Sequence, residues 1–180
     1  MTHTNVWNDS LHCNGHTLLS AGLDCQIQLW DVRKLKKDNR SGRSISPLAH
    51  FHCGKSVNSA HFSPSGKRIV ATTQANKLDL FQGAHLQSGL VQPYKRIVHD
   101  NHTGRWLSTF MTEWHPTLDV FAVGSMRRPR CIEVFDGSDG RMLQAVSGEA
   151  LTAVASRLAW HPTQMWLAGG NSSGRVTVVS

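Results

Sequence analysis

The chain has 180 residues, 39% apolar and 17% charged, which is too apolar for a disordered tail and long enough to bury a real core. No apolar run approaches the roughly 18 residues of a membrane-spanning helix, and the first residues lack the basic start and apolar stretch of a secretory leader. Nineteen Lys and Arg against twelve Asp and Glu give a formal charge of +7, which suits an anionic partner, and four cysteines with no CxxC spacing argue for reduced thiols and against structural zinc.

The first recognisable element is Gly15 to Arg33, GHTLLSAGLDCQIQLWDVR. Its Gln26-Ile27-Gln28-Leu29-Trp30 alternates with period two, as a half-buried strand does. Arg33 to Arg43 follows, with six basic residues and one acid, Asp38, and reads as a polar loop. Three segments of one shape come next: Ala60 to Phe81, Thr112 to Phe135 and Leu158 to Val179. Each carries an aromatic residue, then Ser or His, then Pro: Phe62-Ser63-Pro64, Trp114-His115-Pro116 and Trp160-His161-Pro162. An apolar run, a polar turn and an alternating strand follow each time. The closing strands of the four copies end 51, 54 and 44 residues apart. No long segment shows a 3.6-residue apolar period, so the chain reads as an all-β array of repeats.

A period near 45 residues, with Trp30-Asp31 closing one copy, resembles a WD-repeat β-propeller. On that reading residues 1–34 form an incomplete blade and 35–49 a basic loop. Residues 50–98 and 99–148 form two blades, and 149–180 form the C-terminal blade. The resemblance implies about four C-terminal blades of an expected seven, with open strand edges that invite association. Ser20, Asp24 and Trp30 match part of the buried polar network of such a blade, a structural role. His115 and His161 recur beside the Pro turns, where a turn-stabilising role is expected.

Strands of a blade alternate in direction, so successive loops alternate between two rims. One rim is expected to carry Lys55, Lys77, Arg105, Arg127, Arg128, Arg130 and Arg175, with Asp24 the one acid in the same loops. The Pro turns and Arg33 fall on the opposite rim. Arginines and lysines clustered this way can contact phosphates without regard to base sequence. Trp106, beside Arg105, either stacks on a base or packs between blades. Arg128 and Arg130 either meet phosphates or stay solvated in their loop.

Two stretches carry a closer resemblance. LLSAGLDCQIQLWDVR, Leu18 to Arg33, resembles the box of substrate receptors for cullin-4 ubiquitin ligases. That likeness implies adaptor binding by Trp30, Asp31 and Arg33, with Arg33 docking on the large damaged-DNA-binding subunit. HDNHTGRWLSTFMTEWHP, GSMRRPRCIEVFDG and GGNSSGRVTV resemble the WD repeat-containing protein 76 family, which is related to the small damaged-DNA-binding subunit. In that subunit the stretch aligned with Thr103-Gly104-Arg105-Trp106 is a hairpin that wedges into damaged duplex. Its aromatic-polar-His tip is absent here, so wedging does not carry over directly.

The resemblance implies a nuclear protein that binds DNA or chromatin in the DNA-damage response and receives substrates for a cullin-4 ligase. The alternative is a generic WD-repeat protein-interaction scaffold without DNA binding. No phosphate-binding Gly loop, nucleophile elbow or HExxH spacing occurs. No catalytic residue, metal ligand, cofactor, membrane contact or small-molecule substrate is therefore expected.

Overall fold

The computed structural model describes residues 6–34, 46–82, 89–104 and 106–180. These residues form four sheets in succession. The first contains β1 (Val6–Leu11), β2 (Thr17–Gly22), β3 (Gln26–Asp31) and β4 (Ala49–His52). The second contains β5 (Val57–Phe62), β6 (Arg68–Thr73) and β7 (Lys77–Gln82), and, after β8 (Gly89–Val91), the strand β9 (Lys95–Val98). The third contains β10 (Glu113–Trp114), β11 (Val120–Gly124), β12 (Cys131–Asp136) and β13 (Met142–Ser147). The fourth contains β14 (Arg157–Trp160), β15 (Leu167–Gly170) and β16 (Val176–Val179). The all-β WD-repeat reading holds, with each sheet a meander in which consecutive strands pair antiparallel.

One pairing breaks that rule. β8 leaves its own repeat and joins the first sheet, parallel to β4 through Ala49↔Gly89 and Phe51↔Val91. The chain then reverses and returns as β9 against β7.

The turns explain why the strands stop where they do. The β2–β3 and β6–β7 turns carry Cys25 at φ 64° and Asn76 at φ 56°, left-handed conformations that interrupt extended backbone. His12 Nδ1 accepts the Asn14 amide at 3.0 Å in the first hairpin. His115 Nδ1 accepts the amides of Thr117 and Leu118, both at 3.2 Å. His161 Nδ1 accepts those of Thr163 at 3.2 Å and Gln164 at 3.1 Å. Each ring is thus a hairpin cap, as the recurrence of His beside Pro suggests for His115 and His161; His12 does the same with no Pro beside it.

Apolar faces of successive sheets meet in three clusters. Leu19, Ile27 and Phe51 pack against Ala60, Ile69 and Phe81, with Phe51 and Phe81 edge to face at 4.7 Å. Val70, Leu78 and Leu80 meet Phe110, Trp114 and Phe121. Ala122 and Ile132 meet Leu151, Ala155 and Leu167. Burying a Leu, Ile or Phe contributes about 1.5–3 kcal/mol, so these interfaces hold neighbouring sheets in fixed relation. A repeated hydrogen bond adds to them. Trp114 Nε1 donates to the His61 carbonyl at 3.0 Å, and Trp160 Nε1 to the Glu113 carbonyl at 3.2 Å. Trp114 is buried; Trp160 is half-buried on the last sheet.

Candidate nucleic-acid interface

Antiparallel meanders send alternate connections to opposite rims. The upper rim collects the turns inside the β2–β3 type of hairpin and the connections that lead into each new sheet. Hydrogen bonds make this rim continuous from the first sheet through the second to the loop after β9, which faces the third. Ser56 Oγ donates to the Leu23 carbonyl at 3.2 Å, and the Gln74 amide to the Ser56 carbonyl at 2.9 Å. The Asn101 amide donates to Asn76 Oδ1 at 3.1 Å. Asn101 Nδ2 donates to the Thr73 and Lys77 carbonyls at 2.9 and 3.1 Å. His99 Nδ1 meets Asn101 Oδ1 at 2.6 Å, and its Nε2 faces Glu133 Oε2 at 3.8 Å.

The expected cationic residues divide into groups on this frame. Lys55 is exposed between β4 and β5, and Lys77 is half-buried at the start of β7. Both line one cleft between the first two sheets. Arg127, Arg128 and Arg130 stand together on the β11–β12 turn, about the Arg128–Pro129 cis peptide. Arg175 is exposed on the β15–β16 turn, where its amide donates to Asn171 Oδ1 at 3.1 Å. Arg105 lies outside the described residues. So does most of the basic stretch after Arg33. Trp106 is 88% exposed, so it does not pack between sheets. Phe110, buried four residues later, anchors that loop instead.

The three turn arginines are not equivalent. Arg130 Nη1 donates to the Met126 carbonyl at 2.7 Å and closes the turn. Arg127 Nε stands 3.2 Å from Glu133 Oε1, which also accepts Ser125 Oγ at 2.9 Å. Arg128 is exposed at the tip. Sequence reasoning missed Glu133, because strand alternation alone gives no sign that an acid inside β12 reaches the rim. It also missed acids in the loops themselves. Asp24 is joined there by Asp100 and Glu149, both exposed, so the rim is less one-sidedly basic than expected.

The lower rim carries Arg33. The Val32 amide donates to the His16 carbonyl at 2.9 Å, which sets the exit of β3 beside the first hairpin. Arg33 Nε and Nη2 donate to Asp31 Oδ1 and Oδ2, each at 2.9 Å, a two-pronged pair with Arg33 66% exposed. The Arg33 side chain and backbone amide hold the Asp31 carboxyl down at about 2. Trp30 points inward, its Nε1 donating to Ser20 Oγ at 2.8 Å. Asp24 accepts the Gln26 amide at 3.2 Å.

The sequence profile of the family "WD domain, G-beta repeat" matches residues 3–31. WD repeat-containing protein 76 of Mus musculus is 41% identical over 162 residues, 89% of this chain and 25% of that protein. Its Xenopus laevis counterpart is 40% identical over 156 residues, 84% of this chain and 26% of that protein. DNA damage-binding protein CMR1 of Chaetomium globosum is 29% identical over 190 residues, 98% of this chain and 35% of that protein. The chain therefore spans about a quarter to a third of the length of these relatives. With these likenesses and four successive β-meanders, the chain belongs to the WD-repeat proteins, among the relatives of WD repeat-containing protein 76 and CMR1.

Proposed function

We propose that this chain forms part of a nuclear WD-repeat protein that binds DNA or chromatin in the DNA-damage response. We further propose that it delivers substrates to a cullin-4 ubiquitin ligase. It catalyses nothing itself; it holds one partner near another. DNA lies along the upper rim, where Arg127, Arg128, Arg130 and Arg175 contact phosphates, Arg105, Lys55 and Lys77 extend the positive path, and Trp106 stacks on an exposed base. The adaptor, the large damaged-DNA-binding subunit, docks on the lower rim at Arg33, oriented by Asp31 and backed by Trp30.

The observation that carries this reading is the separation of the two basic features. The arginine turn and an 88% exposed Trp106 belong to one rim, and the Asp31–Arg33 fork to the other. Both partners can then be held at once. The relatives named for DNA-damage binding support the choice of DNA. The scaffold alternative draws on Glu133, Asp100 and Glu149, which offset part of the rim's charge. Duplex binding measured against salt separates the two readings. A steep slope that flattens on removal of the turn arginines supports DNA, and the absence of duplex binding leaves the scaffold.

A further inference from the structure

The cleft between the first two sheets is of about 710 Å³, and none of the turn arginines lines it. Its wall includes His50 and His52 of β4, Asp79 of β7 and Arg96 of β9, with Lys55 and Lys77 at the upper rim. Lys55, Lys77 and Arg96 are cationic, both imidazoles can donate, and only Asp79 is acidic. Such a set favours a concentrated negative charge over the spread charge of a duplex backbone.

Asp79 says more about the ligand. Its side chain is 2% exposed, and its nearest ion-pair partner, Arg96 Nε, stands 3.6 Å from Oδ1. Oδ1 has no hydrogen-bond partner. A buried carboxylate oxygen left without a donor is costly, and the cleft supplies the space for one. Burial pushes the Asp79 carboxyl upward, in keeping with incomplete compensation by Arg96. A phosphomonoester dianion satisfies the cations but has no N–H or O–H of its own for Asp79. A phosphorylated peptide has both, its phosphate for the cations and its backbone N–H for Oδ1. β8 and β9 are the outermost strands of the two sheets flanking the cleft, so extended backbone can lie alongside them.

We infer that this cleft binds a phosphorylated peptide, with the phosphomonoester held by Arg96, Lys77 and Lys55 and a peptide N–H donated to Asp79. Lys55 and Lys77 are shared with the DNA path proposed above, whereas Arg96, His50, His52 and Asp79 take no part in it, so Arg96 tells the two sites apart.

The test uses the full chain and a labelled peptide pool with a fixed central phosphoserine, against the same pool with serine, read by fluorescence anisotropy. The phosphorylated pool should bind at least about tenfold tighter, the size of one or more charge-assisted hydrogen bonds. Arg96→Gln, assayed at a temperature where circular dichroism shows it folded because it takes from buried Asp79 its ion-pair partner, should remove that preference while leaving duplex-DNA affinity unchanged. Arg128→Glu should leave peptide affinity unchanged, so loss of DNA binding and loss of peptide binding remain distinguishable. Equal binding of the two pools overturns the inference. So does binding of inositol hexakisphosphate that depends on Arg96 with no binding of the peptide pool, which marks a site for a free polyanion. Phosphopeptide binding that is lost in Arg128→Glu and retained in Arg96→Gln places the phosphate on the upper rim and also overturns it.

Discussion

Arg127 leans on Glu133, its Nε 3.2 Å from Oε1, with the arginine 64% exposed and the glutamate 4%. The pair makes one of the three turn arginines a poorer phosphate ligand than its exposure alone suggests. Glu133→Gln keeps an acceptor for Ser125 Oγ and removes the competing charge. Duplex affinity at low salt should then rise by up to about fivefold, equivalent to roughly 1 kcal/mol. Filter binding or anisotropy reads the change. An affinity that does not move in either Glu133→Gln or Arg127→Gln takes Arg127 off the DNA path.

Trp106→Ala separates a recognition role from a structural one. At 88% exposure the indole contributes little to the core, so the melting temperature should stay within a degree or so. Binding to mismatched or unpaired DNA should weaken by roughly 1–3 kcal/mol, with the salt slope unchanged. Equal affinity of parent and variant for distorted and intact duplex rules out base stacking.

Trp114 behaves in the opposite way. Trp114→Phe retains most of the apolar packing on Phe121 but removes the hydrogen bond to the His61 carbonyl across the sheet boundary. Urea unfolding should show a destabilisation of about 0.5–1.5 kcal/mol. Trp114→Ala should cost about 3–5 kcal/mol, since it also opens a cavity. A Phe variant as stable as the parent means that the inter-sheet hydrogen bond contributes nothing net.

The Asp31–Arg33 fork makes a prediction in pH and one in binding. Asp31 is held at about 2 against an ordinary 3.8, so the depressed folded value means that pairing is complete above about pH 4. It disappears as pH falls toward 2. An NMR titration should place the Asp31 midpoint near 2 and return it to the ordinary range in Arg33→Ala. In a chain of the relatives' full length, Arg33→Ala should also weaken adaptor binding by about thirtyfold or more while duplex binding stays intact. A pull-down with undiminished adaptor recovery contradicts the lower-rim assignment.

The repeats were legible because each closing strand alternates with period two and the first hairpin of three of them begins with aromatic, Ser or His, and Pro. The same pattern exposed the two rims, since loop order follows from strand order alone. Four features were not legible. β8 lies parallel to β4, a pairing between residues about 40 apart that no local pattern encodes. Glu133 reads as a strand residue, yet it turns toward Arg127. Arg130 reads as a surface charge, yet its Nη1 closes its own turn at Met126. Trp106 sits in a polar loop where sequence alone favours packing between blades, yet it is exposed and Phe110 is the buried aromatic of that loop.

DNA binding along the upper rim is tested most directly by the salt dependence of duplex affinity, measured for the full chain and for the Arg127→Gln, Arg128→Gln, Arg130→Gln triple variant. The variant should fold with the parent's circular dichroism and bind every duplex sequence more weakly. Its slope of log affinity against log salt should be flatter by about 0.9 for each phosphate no longer neutralised, near 2.7 if all three arginines touch the backbone. A folded triple variant with the parent's affinity and slope contradicts the DNA assignment and leaves a WD-repeat scaffold whose upper rim serves another partner.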